Sequence, residues 1–480
     1  MTRLVVVSNR VAKGGSGKGS AGGLVVGVMA AMERAGGLWF GWNGKIEKDI
    51  DQEPLVETTG NIDYVTVGIK QSEYNHYYNG FANSVLWPLF HQRPDLMNYR
   101  SADLAGYKAV NQRFARILQR FLKPDDVIWI HDYHLIPMGQ MLRDAGVTSP
   151  MGFFLHTPFP PLDLLRTMPN HKHILRALMA YDLVGLQTET DRRSFAECLT
   201  FSIGATSGDG GEISANGATT VARVYPIGIE TESIPDILQR GQNSSDFQRM
   251  RDSLNERKLI IGVDRLDYSK GLLQRFQAYE RLLRTDHRFH RDIVYLQIAP
   301  VSRGDVKAYG DLAEKLDSAA GHIIGTYADF DWMPLRYLNR GFRRSTILAM
   351  YNLAHVGFVT PLRDGMNLVA KEYVAAQNPE NPGVLVLSKM AGASAELDAA
   401  VIVNPYDQEN VSRSLAKALV MPLDERVDRW QCMITVLKEN NIHQWHRRFL
   451  SDLQRIHGKY PGATIITPAS INARDTPRTH

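Results

Sequence analysis

The chain has 480 residues, of which 44% are hydrophobic and 22% charged, and its formal net charge is +4. That length exceeds what one core can serve, so a soluble protein of two domains is expected. No basic block is long enough to bind nucleic acid, and Arg192-Arg193 and Arg343-Arg344 read as solvated helix faces. The two cysteines, Cys198 and Cys432, stand far apart without metal-ligand spacing, which suits a reducing cytoplasm.

The apolar run Leu4-Val5-Val6-Val7 is too short for a signal peptide or a membrane span and reads as a first strand, 3–8. It ends at Ser8-Asn9-Arg10 and is followed by a glycine-rich loop through Gly22-Gly23. A P-loop fails here, because Ala12 holds the first glycine position and Gly19 follows Lys18. Gly17, Gly19 and Gly22 match G-x-G-x-x-G, but no acidic strand end follows at the distance a dinucleotide needs. The better reading is a loop that closes over a ligand, with Arg10 as a fixed cation beside it. Tyr78 and Trp87 offer a sugar platform, with core packing the alternative for Trp87. A helix is read at 102–122 and a strand at 127–131, ending in His131-Asp132-Tyr133-His134. Ligands so close together rarely converge on one metal ion. Asp132 is read instead as an acceptor for sugar hydroxyls and His131 as a core residue. The strand 151–156 stops at a proline-rich turn, since proline cannot continue a central strand. His156 therefore sits at the sheet edge as a general base, a hydroxyl donor or a structural cap. A helix at 170–180, a strand at 182–187, a loop or hairpin at 203–220 and a strand at 222–227 complete this half.

A polar stretch at 231–255 marks a boundary. The strand 258–263 runs into Asp264-Arg265-Leu266-Asp267-Tyr268-Ser269-Lys270-Gly271 and then a helix, 272–285. Arg265 and Lys270 would oppose the dipole of that helix start unless an anion such as a diphosphate sits there. The alternative is that Arg265 pairs with Asp264 or Asp267. The strand 293–299 leads to Arg303, and a helix is read at 306–318. The strand 355–359 precedes the turn Asp364-Gly365 and a helix from Leu368, with Asn367 as N-cap. Free N–H groups at that helix start suit phosphate or nucleotide oxygens. Glu372, one turn on, can accept both hydroxyls of a ribose. Strands at 384–387 and 400–403, a helix at 411–421 and an aperiodic tail from Pro461 follow. Strand–helix alternation predicts α/β layers with parallel, doubly wound sheets that bind ligands at the C-terminal edges of their strands. G-x-S-x-G, H-E-x-x-H and C-x-x-C are all absent, so nothing points to a covalent serine or cysteine hydrolase.

The runs Arg3–Arg10, Ala21–Leu24, Gly36–Trp42, Val85–Pro88, Trp129–His134, Gly152–His156, Tyr225–Ile229, Arg265–Gly271 and Thr360–Glu372 together carry a resemblance. From residue 1 to about 458 the chain resembles the bacterial trehalose-6-phosphate synthases of glycosyltransferase family 20. It departs in the Gly/Lys content of 13–20, in the 203–220 loop and in the tail. The resemblance implies a GT-B fold, with two Rossmann-like domains facing a central cleft. Their expected extents are 1–235 for the acceptor domain and 236–455 for the donor domain, with 456–480 packing back on the first before a mobile tail. It implies transfer of glucose from a nucleotide-glucose, UDP-glucose before GDP-glucose, to glucose 6-phosphate, no cofactor, no metal, no nucleic-acid or membrane partner, and a dimer or tetramer in the cytoplasm. Arg10 and Arg303 would grip the acceptor phosphate, and Tyr78, Trp87 and Asp132 would contact the acceptor. Gly22, Gly23, Arg265 and Lys270 would hold the donor diphosphate. His156 and Asp364 would contact the donor glucose and, with Arg265 and Lys270, form the catalytic set. Phe342 and the helix start Leu368, Val369, Ala370 and Lys371 would seat the nucleotide, with Glu372 on the ribose.

An oxocarbenium-like transition state needs the departing diphosphate stabilised, and Arg265 and Lys270 can supply that charge. No carboxylate is evident as the nucleophile of a double displacement. The resemblance implies retention of anomeric configuration, so front-face transfer is expected, with the leaving phosphate oxygen taking the acceptor's proton.

Overall fold

The apolar runs do form parallel strands, and the chain divides into two units. The computed structural model describes residues 2–11, 23–50, 53–301 and 307–460. One unit spans the chain up to Lys13, then Val28–Tyr225, and regains it from His446; the other holds Gly14–Gly27 and Pro226–Trp445.

Among the described residues, the first unit contains a ten-stranded sheet. Its strands are β1 (Leu4–Arg10), β2 (Gly37–Ile46), β3 (Leu55–Thr59), β4 (Ile62–Ile69), β5 (Val127–His131), β6 (Met151–Phe154), β7 (Leu183–Leu186), β8 (Thr206–Ser207), β9 (Glu212–Ala215) and β10 (Ala218–Val224). Their order is β3-β4-β2-β1-β5-β6-β7-β10-β9-β8. The stretch from β4 to β10 is parallel, and β3, β9 and β8 add antiparallel edges. Val5, Val6 and Val7 are fully buried, as a strand covered on both faces requires. From β1 the chain builds outward through β2 and β4, then returns to the far side of β1 with β5. The switch of direction between β1 and β5 opens a crevice at their C-terminal ends, at Arg10 and Asp132.

The second unit's sheet has β11 (Lys258–Val263), β12 (Ile293–Ile298), β13 (Leu335–Leu338), β14 (Val356–Val359), β15 (Val384–Ser388) and β16 (Val401–Val403), all parallel. Their order is β13-β12-β11-β14-β15-β16. The direction switches between β11 and β14, so the loops beginning at Asp264 and Thr360 emerge side by side.

Strands β5 and β11 and the helix Leu272–Thr285 have the expected limits. The expected loop or hairpin at 203–220 is a hairpin, turning at Asn216-Gly217, both with positive φ. The helix expected at 306–318 continues to Tyr327. Strands β2, β3, β4 and β13 were not anticipated. In β2 two of the glycines are steric necessities. A Cβ at Gly37 or Gly41 would stand 2.1 Å from the carbonyl oxygens of Leu4 and Ser8.

The division between units also differs from the expected limits at 235 and 455. The helix Ile234–Gln242 packs on the helix Arg344–Leu353 of the second unit so closely that a Cβ at Gly241 would meet the Ser345 carbonyl. The return to the first unit begins at His446, not at 456. Phe449 stacks on Trp129 with centroids 4.8 Å apart, and Asp452 accepts from Arg223 (2.9 Å) and Tyr225 (2.7 Å).

Candidate active site

In the first unit, β1 breaks register with β2 between Ser8 and Arg10, and Arg10 emerges exposed at the strand end. Its guanidinium lies 5.8 Å from the centroid of the Trp42 ring. Gly44 has φ +80, which favours glycine, and a Cβ there would come within 2.5 Å of the same guanidinium and displace it. Asn9, one residue earlier, is buried and accepts from Tyr77 OH at 2.7 Å.

Tyr77 and Tyr78 lie on a π-helical segment, Tyr74–Leu86. Such a winding is rare and favours functional sites. Tyr78 is half-buried and stacks between Tyr74 (5.3 Å) and His134 (5.7 Å). Trp87 is only 6% exposed and packs on His91 (4.0 Å) and Tyr133 (5.7 Å). The packing supports the core alternative for its ring, leaving a ligand little more than an edge.

Asp132 follows β5 with φ +74, a costly conformation for a non-glycine residue. Its Oδ1 accepts from the His156 amide at 3.3 Å, which ties the loop after β5 to the loop after β6. His156 Nε2 is 3.1 Å from Nδ1 of the fully buried His131. Burial pushes His156 down to about 3 and His131 well below its ordinary value, with His156 adding to the effect on His131. Both rings are therefore neutral near pH 7, one nitrogen donating and the other accepting. A neutral imidazole with so low a pKa is a poor general base. Of the three roles read for His156, hydrogen bonding is the one its surroundings favour.

In the second unit, Arg265 is exposed in the loop after β11, and Leu266 pairs with the chain after β12 through Pro300 and Val301. Lys270 ends a short turn capped by Asp267, whose carboxylate accepts from the Ser269 amide. Lys270 Nζ lies 2.6 Å from Asp364 Oδ2 in the loop after β14. Asp364 Oδ2 also accepts from Asn367 Nδ2 at 3.0 Å. Asn367 caps the helix Leu368–Ala375 as expected, with φ +77 and its Oδ1 accepting from the Ala370 amide at 3.1 Å. The amides of Leu368 and Val369 are the first two of that helix and have no carbonyl one turn back to bond.

Lys371 departs from its expected role. It is fully buried, and its ammonium donates to the Ile227 carbonyl (2.8 Å) and to Glu396 Oε2 (2.5 Å). The helix periodicity turns its side chain to the core. Burial lowers its pKa, and Glu396 opposes that shift. Glu372 is half-buried and accepts from Arg344 Nε at 3.0 Å, which orients the carboxylate. Phe342 is half-buried beneath the Arg340 guanidinium at 4.9 Å. It lines a cavity of about 560 Å³ together with Leu338 and Met350.

Gly23 opens the helix Gly23–Ala35, while Gly22 and Arg303 lie outside the described residues. Among the described residues no three His, Cys, Asp or Glu side chains gather as metal ligands, and no helix is long and apolar enough to cross a membrane. The residues that sequence reasoning missed are Arg275, Arg344 and the His131–His156 contact. Each depends on pairing between distant segments, and only the unexplained charge of Arg275 near a helix start could have flagged one of them.

The glycosyltransferase family 20 model matches residues 3–455. The chain belongs to that family. It is a glycosyltransferase with a GT-B fold, each unit contributing a parallel α/β sheet. The trehalose-6-phosphate synthase of Sodalis glossinidius is 49% identical over 460 residues, covering 96% of this chain and 97% of that protein. A solved α,α-trehalose-phosphate synthase (UDP-forming) from Burkholderia xenovorans in complex with glucose-6-phosphate is 46% identical, with a TM-score of 0.90, covering 94% of this chain and 100% of that one. A solved E. coli protein bound with UDP-2-fluoro glucose is 46% identical, with a TM-score of 0.90, covering 94% and 99%. In this family-20 chain both switch points carry a cation and a carboxylate at their strand ends, Arg10 and Asp132 in the first unit and Lys270 and Asp364 in the second.

Proposed function

We propose that this chain transfers glucose from UDP-glucose to glucose 6-phosphate, with retention, yielding α,α-trehalose 6-phosphate and UDP. The carrying observation is the loop pair after β11 and β14. There Lys270 Nζ meets Asp364 Oδ2 at 2.6 Å, three residues before the N-cap Asn367 of the helix that starts at Leu368, and Arg265 lies exposed in the same loop as Lys270. The glucose 6-phosphate and UDP-2-fluoro glucose complexes of the two solved relatives support the choice of substrates.

In this reading the first unit takes the acceptor, within the domain expected at 1–235. Arg10 takes its phosphate, with Arg303 assigned to the same phosphate by the family resemblance, Tyr78 and Asp132 take its sugar, and Trp87 backs them from the core. The second unit takes the donor, within 236–455. Gly22, Gly23, Arg265 and Lys270 hold the diphosphate, Phe342 and the amides of Leu368 and Val369 the uridine, with Ala370 completing that first turn, and Glu372 the ribose. His156 and Asp364 contact the donor glucose. The bond from the anomeric carbon to the diphosphate breaks, and the acceptor's anomeric oxygen bonds to that carbon on the same face. The acceptor's proton moves to the departing phosphate oxygen. Arg265 and Lys270 stabilise the charge that develops there. The reaction uses no metal ion or cofactor, operates in the cytoplasm as trehalose synthesis for osmotic protection, and is carried by a dimer or tetramer.

The test is incubation with glucose 6-phosphate and UDP-glucose or GDP-glucose, with EDTA present, following nucleoside diphosphate release and identifying the sugar. A phosphorylated, non-reducing disaccharide formed from UDP-glucose is expected. Binding of the donor without that product would overturn the reading.

A further inference from the structure

Arg275 lies one turn into the helix Leu272–Thr285 and is fully buried. An arginine there opposes the helix dipole and costs desolvation, so its surroundings must compensate. They do so in an unusually directed way. Nη1 donates to Asp264 Oδ2 (2.9 Å) and to Gln297 Oε1 (2.9 Å). Nε donates to Thr360 Oγ1 (3.2 Å), and Nη2 donates to the Lys270 carbonyl (3.1 Å). Gln297 is itself held by Tyr295 OH at 2.6 Å. The guanidinium also lies 5.7 Å from the Phe358 ring centroid.

Asp264 begins the loop after β11, Lys270 ends it, and Thr360 begins the loop after β14. Gln297 lies on β12. One rigid, planar group thus ties together three neighbouring strand ends at the direction switch. The strand is built to admit it. A Cβ at Gly262 would meet Arg275 Nη1 at 2.7 Å and Gln297 Oε1 at 2.5 Å. The two loops are joined a second time where the Leu362 and Arg363 amides donate to the Ser269 carbonyl. Burial holds the Asp264 carboxyl above its ordinary value although Arg275 pulls against that shift.

We propose that Arg275 is a positioning residue for the donor site. By fixing the Lys270 carbonyl and Thr360 together, it sets where the Lys270 ammonium and Asp364 meet the donor diphosphate and sugar. This rests on the donor reading given above. Lysine cannot substitute, because a single ammonium cannot span Asp264, Gln297, Thr360 and the Lys270 carbonyl in a plane.

Two variants test it. Thr360→Val removes one bond to the guanidinium while keeping shape, and Arg275→Met with Asp264→Leu removes the buried ion pair as a unit. UDP affinity by calorimetry and kcat and KM for each substrate are measured on both. Thr360→Val is expected to weaken UDP binding and lower kcat/KM for UDP-glucose about tenfold, the value of one hydrogen bond to a charged group. The double variant is expected to lose on the order of a hundredfold in kcat, as a misplaced reacting group does. KM for glucose 6-phosphate should stay near its parent value in both. Parent-like UDP affinity and kcat/KM in Thr360→Val would overturn the proposal, whether or not the double variant folds. A parent protein that binds UDP but makes no disaccharide would instead remove the transfer reading, leaving the UDP affinities to decide the role of Arg275.

Discussion

The two switch-point crevices solve different chemical problems with different materials. After β1 and β5, Arg10 and Asp132 stand as single charges at the strand ends, with a floor of hydrogen-bonded or stacked groups: Tyr77 on Asn9, Tyr78 on His134, and His131 on His156. After β11 and β14, the floor is itself ionic, with Arg275 on Asp264 and Lys270 on Asp364. In the proposed reading, a sugar phosphate needs hydroxyl partners and cations for its one phosphate. A departing diphosphate needs charge that is already in place, and buried charge persists only when paired. A neutral floor tolerates loss of one partner, whereas an ionic one leaves an uncompensated charge behind.

That contrast can be broken in order of size. Lys371→Met should destabilise the second unit by about 3–5 kcal/mol, because Glu396 is left unpaired in the interior. Urea unfolding checks this, and adding Glu396→Met should restore much of the loss. Arg265→Ala should lower kcat by about 10²–10³, as removal of a single charge-stabilising donor does, with circular dichroism unchanged; nearly full turnover would end its proposed role. Arg10→Ala should raise KM for glucose 6-phosphate about tenfold or more while UDP affinity stays put, one charge-assisted contact being worth about 1.5–3 kcal/mol. Equal losses for both substrates would erase the division of labour between the crevices.

The smallest effect comes from pH. His156 and His131 have lowered pKa values in the folded chain, so below the ordinary value of 6.5 the unfolded chain binds protons that the folded one does not. Stability is therefore fully present above 6.5 and falls progressively as pH drops toward about 3. Melting temperature recorded from pH 7 to 4 should decline less steeply in His131→Gln than in the parent. An identical slope would place the acid sensitivity elsewhere.

Much of this was legible before any coordinates. Strand–helix alternation, the fully apolar β1 and β11, the N-cap at Asn367 and the family motifs are local signals, and the fold class followed from them. Polar residues at strand ends singled out Arg10, Asp132, His156, Arg265 and Lys270, because a chain that leaves a buried strand must turn where its apolar run stops. Packing decided what residue type left open. Trp87 had two readings and lies in the core, and the side chain of Lys371 is turned inward to Glu396.

By itself, then, the sequence determined the kind of fold, the places where strands end and the chemical character of the groups found there. Hydrophobic periodicity and capping act within a few residues, so they can be read along the chain. Tertiary structure alone decided that β11 lies beside β14, bringing Lys270 to Asp364 across 94 residues and Arg275 to Thr360 across 85. It alone returned Phe449 to Trp129 and set which side chains of the Leu368 helix face inward. Those arrangements come from pairing and burial among distant segments, whose free energy belongs to no single stretch of chain.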